Sequence, residues 1–380
     1  MTCASAGVDF GYQLAWVLVF ATAAAFVLQS FTAAMGILAR QGLAEAVRSA
    51  DGGPLFAWTA RVLIVAGLWI GCASFELGNL SGAAAGLSIV VSDQVELRWY
   101  VLMLAIVCGA LLQLRVRILI NVLSGIVASM GIVFLAAAMM SDVNWDQAWQ
   151  GIVFPRIPDG GIVRVVALIG TTVVTYNLFL HASATREFWS EEADARRAWR
   201  RELAGMAIFI PLGGLVSLAI LWCGAAVGVT GQKVTAVADM ASLMEPVAGK
   251  AAGMLFGLGL FAAGLTSAIT APLAAAAGIS ELFGWDKEGR KYRAVWISVL
   301  LTGVVFSLFG WSPLNVIIAA QAANGLLLPL VAGFMLYVTF RQKTVQLPRW
   351  FFGLGVVITL LCAGLGVRTL LWVAEKLGFA

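Results

Sequence analysis

The residues best able to do chemistry in this chain are a few polar ones set inside long apolar runs. The densest group is Gly170-Thr171-Thr172-Val173-Val174-Thr175-Tyr176-Asn177, followed by Leu178-Phe179-Leu180-His181. Threonine hydroxyls can bond their own backbone, Asn177 offers a donor and an acceptor, and Gly170 permits a break. Local unwinding here would turn carbonyl oxygens toward a cavity. Ion sites in membrane transporters are built at discontinuous helices of this kind. The same residues also allow a continuous helix, its threonines bonded to the preceding turn and Asn177 bridging to a neighbour. His181 is either a satisfied interior histidine or part of an ion or proton path.

Two further groups sit inside apolar runs. Glu76 and Asn79 lie in Cys72-Ala73-Ser74-Phe75-Glu76-Leu77-Gly78-Asn79, where a carboxylate at the bilayer centre costs about 2.5–3.5 kcal/mol to insert. Gln321 and Asn324 are three apart and share a helix face, where they could line a path or hold helices together. The cysteines, Cys3, Cys72, Cys108, Cys223 and Cys362, form no Cys-x-x-Cys pair and read as small core residues. With His181 the only histidine, a histidine-rich cage is excluded and any metal must be held mostly by oxygen. No membrane-embedded Ser/Lys pair, His-Glu-x-x-His or paired aspartates stands out, so the chain does not read as an enzyme and implies no cofactor.

The elements that position these residues follow from composition. The chain is 61% hydrophobic and 12% charged, against roughly 45–50% and about 25% for a soluble domain. Charges fall in short islands between apolar runs, which predicts an all-α membrane protein. Ten runs can be read in order. They are Gln13 to Leu38, Phe56 to Leu87, Trp99 to Leu114, Ile118 to Met140, Val163 to His181, Leu203 to Val227, Ala251 to Phe283, Val295 to Phe309, Leu314 to Phe340 and Trp350 to Val373. Alternate loops are basic: Arg40 and Arg48, then Arg115 and Arg117, then Arg186 to Arg201, then Lys287 to Arg293, then Arg341 to Arg349. The positive-inside rule puts these loops in the cytoplasm and the C-terminus outside. A net charge of +4 is too small to indicate nucleic acid. Met1 to Asp9 lacks the basic start and long apolar middle of a signal peptide and reads as the last turns of a helix, so the chain is expected to begin in mid-helix.

These stretches resemble the natural resistance-associated macrophage protein (NRAMP) family of divalent metal transporters. The likeness is carried by Ala6 to Tyr12 through Leu28-Gln29-Ser30, Gln41 to Ala46, Asn177 to His181, Leu260 to Gly264 and Gln321 to Pro329. The resemblance implies a five-plus-five inverted-repeat fold with an extra C-terminal helix, in one transporter domain over residues 1–380. Residues 1–9 would be the remnant of the first helix and 163–181 the broken sixth. The family's Asp-Pro-Gly-Asn would lie just upstream of Met1. Its sixth helix usually reads Ala-Thr-Val-Met-Pro-His-Asn, against Thr171-Thr172-Val173-Val174-Thr175-Tyr176-Asn177 here, so the methionine position is Val174 and the histidine position Tyr176. Its Asp-x-x-Glu appears as Glu76-Leu77-Gly78-Asn79.

By that resemblance Thr171 and Gln321 are expected to hold the ion and Val174 to line the site. Glu76, Asn79, Tyr176 and His181 would line a proton or gating path, with Gly170 and Asn177 at the helix break. Loss of the soft thioether favours magnesium or manganese over iron, and the departures put proton coupling in doubt. The expected partners are the lipid bilayer and the transported divalent cation. The location is an inner (plasma) membrane. Two alternatives keep the membrane setting: a small organic solute carried on the same fold, or a non-transporting protein or fragment.

Overall fold

Apart from a few end residues and a break at Val173 and Val174, each apolar run is helical where it is described, because a segment in hydrocarbon must satisfy its own backbone. The computed structural model describes residues 1–49, 53–91, 94–113, 117–229, 240–241, 244, 248–286, 289–309 and 313–376. The basic residues Arg115 and Lys287, and the loop bearing Lys233 and Asp239, lie outside them. Among the described residues the helices are α1 (Thr2–Phe10), α2 (Ala15–Leu38), α3 (Leu43–Arg48), α4 (Gly53–Val91), α5 (Leu97–Leu111), α6 (Arg117–Met140) and α7 (Trp145–Val153). They continue with α8 (Ile162–Thr172), α9 (Thr175–Phe188), α10 (Ala195–Val229), α11 (Ala252–Phe283), α12 (Arg290–Ser307), α13 (Pro313–Arg341) and α14 (Arg349–Lys376).

Among the described residues, seven spans are long and apolar enough to cross a membrane, or eight if the bent pair formed by α6 and α7 is one. Two of the ten runs, those on α5 and α12, fall short for visible reasons. At 15 residues, α5 reaches only about 22 Å against a hydrocarbon core of about 30 Å. The first turn of α12 carries Arg290, Lys291 and Arg293. α7 turns by 116° from the end of α6 and exposes Trp145 and Trp149, as an interfacial helix anchored by aromatic rings does.

Helix contacts repeat across the two halves of the chain. α1 packs on α10 as α9 packs on α2, and α12 packs on α4 as α5 packs on α11; α4 and α11 run against each other at the centre. The first set is α1, α2, α4, α5 and α6, the second is α8 with α9, α10, α11, α12 and α13, and α14 lies beyond both. Apolar attraction cannot hold helices together in lipid, so close backbone approach does. Gly7 in α1 abuts the backbone of Leu221 and Ala225, and Gly224 in α10 abuts that of Ala4.

Loops after α2, α9, α11 and α13 meet at one end of the bundle. There Arg186 pairs with Glu45 at 2.5 Å and Glu281 at 3.0 Å, Arg48 donates to the Glu281 carbonyl at 3.1 Å, and Gln342 donates to Gln41 at 2.7 Å. Arg40 also meets the segment after α9 here, donating to the Trp189 carbonyl at 2.5 Å. At the other end Arg164 joins α8 to α1, donating to Ser5 at 2.9 Å and Asp9 at 2.7 Å, and the Asn144 amide donates to the Tyr12 hydroxyl at 3.0 Å.

Candidate ion site

Between α8 and α9 the backbone leaves the helix. Val173 has φ −106° and ψ 90°, and Val174 has φ −86° and ψ 122°. Both are extended and need no glycine. Gly170 itself lies within α8, where it serves a different end: an added Cβ would overlap the Gln321 carbonyl and stand 2.8 Å from the Gly325 amide. α8 therefore meets α13 backbone to backbone, and this contact brings the break beside Gln321.

Asn324 bonds to both sides of the break. Its Nδ2 donates to the carbonyls of Gly170 at 2.7 Å and Val173 at 3.0 Å. Its Oδ1 accepts from the Thr175 amide at 3.1 Å and the Thr175 hydroxyl at 2.7 Å. Asn324 is 1% exposed, so these bonds form away from water, where unpaired polar groups are costly. Of the two roles that the spacing of Gln321 and Asn324 allowed, Asn324 joins helices and Gln321 lines a path.

That path is a cavity of about 360 Å³ whose lining includes Thr171, Val174, Asn177, Asn79 and Gln321. From α4 it takes Phe75, Gly78, Asn79 and Gly82, which share one helix face. Ala263 and Ser267 of α11 complete the wall. Tyr176 also faces it, its ring edge-on to Phe75 at 5.6 Å between centroids. The Gln321 side-chain oxygen accepts a hydrogen bond from the Thr2 hydroxyl, which ties α1 to α13. The Asn79 Nδ2 is buried, with no partner among the described residues. No cluster of three or more His, Cys, Asp or Glu side chains among the described residues is placed to hold a metal, so the polar lining consists of carbonyls, hydroxyls and carboxamides.

Two of the singled-out residues stand elsewhere. Glu76 is fully buried and lies against Gly303 of α12, one position around α4 from the cavity face; both its carboxyl oxygens lack a partner among the described residues. His181 lies further along α9. Its Nδ1 is 2.9 Å from the Thr32 hydroxyl, and its Nε2 is 3.5 Å from Glu202, which also accepts from the Trp189 indole at 2.8 Å. Sequence reading did not single out Thr2 or Ser267. Thr2 falls in a short stub with no periodic signal, and Ser267 is one small polar residue in an alanine-rich run.

The chain is 28% identical to the divalent metal cation transporter MntH of Erwinia tasmaniensis over 83% of this chain and 75% of that one. It is 27% identical to MntH of Klebsiella pneumoniae over 95% and 86%. Its fold is similar to that of a manganese transporter of Eremococcus coleocola, with a TM-score of 0.75, 20% identity and coverage of 97% of this chain and 82% of that one. Mhp1, a nucleobase-cation-symport-1 family transporter solved with bromovinylhydantoin bound, aligns with a TM-score of 0.62 at 14% identity, over 98% and 89%. The architecture is thus the inverted-repeat transporter fold with an extra C-terminal helix, in a multi-pass membrane protein. Residues 1–372 match the Nramp family, described as natural resistance-associated macrophage protein-like, and the chain belongs to that family.

Proposed function

We propose that the protein is a secondary transporter that carries a divalent metal cation, magnesium or manganese in preference to iron, across the membrane by alternating access. The observation that supports this reading is the placement of Thr171, Val174 and Gln321 on one cavity wall beside the break, in a chain of the Nramp family; the Thr171 carbonyl and the Gln321 carboxamide are the proposed oxygen donors, with Val174 where a soft ligand would stand. Oxygen donors suit hard cations, and magnesium keeps several of its waters. A shell of six waters occupies about 180 Å³ at ~30 Å³ each, so the 360 Å³ cavity has room for a partly hydrated ion.

Tyr176 and Asn79 stand where the family's motifs have a histidine and a glutamate, so transport is read as independent of a proton gradient. The membrane is the inner (plasma) membrane, with the basic loops cytoplasmic. Expression of the full-length gene in cells tests the reading. Raised magnesium or manganese uptake supports it, and equal uptake with and without the gene refutes it.

A second reading, a small organic solute in the same cavity, draws on the shared fold of Mhp1 with bromovinylhydantoin. Thermal stabilisation of the purified protein by such a solute, with no response to either metal, would favour it.

A further inference from the structure

We infer that Asn324 is the positioning residue that creates the free Thr171 carbonyl, and that Asn324 and Thr175 together do the work of the proline found at the Thr175 position in the family's sixth-helix motif. This rests on the transport reading for its functional consequence, though its structural half stands alone. In an unbroken helix the Thr175 amide would donate to the Thr171 carbonyl, four residues back. A proline at the start of α9 has no N–H to give and prevents that bond. Here the residue is Thr175, and its N–H is present.

The structure sends that N–H elsewhere. It donates to Asn324 Oδ1 at 3.1 Å, and the Thr175 hydroxyl reinforces the same acceptor at 2.7 Å. The two donors of the carboxamide meanwhile take up the Gly170 and Val173 carbonyls, whose own helical partners the break removes. Between them, the carbonyls of Thr171 and Thr172 accept no backbone hydrogen bond across the break from the described residues, and of the two residues Thr171 lines the cavity. One side chain thus caps the carbonyls of Gly170 and Val173 and diverts the N–H that would otherwise close on the carbonyl of Thr171, a residue of the cavity wall.

The local backbone already fits a proline. Val174 has φ −86° and ψ 122°, the extended region that a residue before proline prefers. Thr175 is the first residue of α9, the helix position that best accepts proline. Substitution of Thr175 by proline therefore meets no backbone obstacle, which makes a rescue experiment possible.

Asn324→Leu is expected to let the helix close, with the Thr175 N–H on the Thr171 carbonyl, and to raise the KM for magnesium or manganese about tenfold, the scale of one lost contact to a charged group. Adding Thr175→Pro to Asn324→Leu removes the competing N–H and is expected to bring KM back to within about threefold of the parent. A purely structural role for Asn324 predicts no such rescue, because the proline restores none of its bonds. Asn324→Ser, whose hydroxyl is too short to reach both sides of the break, gives the same pair of results should the leucine variant fold poorly. An unchanged KM in the single variants, or a double variant as impaired as the single, overturns the inference. Structures of the parent and Asn324→Leu without metal provide a readout independent of transport: a closed helix across 171–175 supports the inference, and an unchanged break overturns it. If the parent protein moves neither metal, the transport reading fails and these structures alone judge the role of Asn324.

Discussion

Arg186→Ala removes the cation that joins α9 to α3 and α11 at the basic end of the bundle. The loss can be sized from the two carboxylates it leaves behind. Glu45 has 29% of its side chain exposed, so water replaces most of what Arg186 supplied and the cost there is below about 1 kcal/mol. Glu281 has only 7% exposed, its Oε2 is buried with no partner among the described residues, and its carboxylate lies over Gly42 at the start of α3. Breaking a buried pair costs about 3–5 kcal/mol when one charge stays behind, and the 26% exposure of Arg186 brings the expected total to the lower end, about 3 kcal/mol. At this chain length each kcal/mol moves the unfolding midpoint by roughly 1–2 °C. Thermal unfolding in detergent should therefore show a fall of about 3–6 °C. Adding Glu281→Gln, which needs no counter-charge, should recover at least half of it. A fall below about 1 °C, or a double variant no more stable than Arg186→Ala, would refute the assignment of this contact as a buried charge pair.

Other perturbations act at the site itself. Gly170→Ala would press a methyl group into the Gln321 carbonyl, with backbone on both sides and little room to yield. It should cost about 1–3 kcal/mol and weaken metal binding, read by thermal unfolding and by isothermal titration of the purified protein. Val174→Met would place a thioether in the cavity, and the 360 Å³ of space accommodates it. Competition flux assays should then show manganese gaining on magnesium by about tenfold, roughly 1.4 kcal/mol of added preference, and an unchanged ratio would remove Val174 from the selectivity argument.

Apolar length and charge punctuation made the helices legible, since ten runs bounded by charge, proline or glycine all lie on helices where described. The polar knot from Gly170 to Asn177 was equally visible as a place where a helix could open. Where it opens was not, because the residue that decides lies on α13: Asn324 selects Val173 and Val174, and Gly170 stays helical to let α13 approach. The face of α4 was also out of reach. Glu76 and Asn79 are three apart, yet only Asn79 turns to the cavity, since Glu76 points to α12 across the α4–α12 contact. The pairing of Arg186 with Glu281 joins the ends of separate helices, and local sequence carries no signal for such a pair. Thr2 reaches Gln321 for the same reason, through folding.

On the proposed function a divalent cation passes through the cavity beside Thr171 and Gln321. The most direct measurement is magnesium and manganese influx into proteoliposomes containing the protein, with and without an imposed proton gradient, alongside Gln321→Ala. Influx above empty liposomes, unchanged by the gradient and lowered at least about tenfold in KM-limited rate by Gln321→Ala, is the predicted result. No influx of either metal, or influx indifferent to Gln321→Ala, would contradict it.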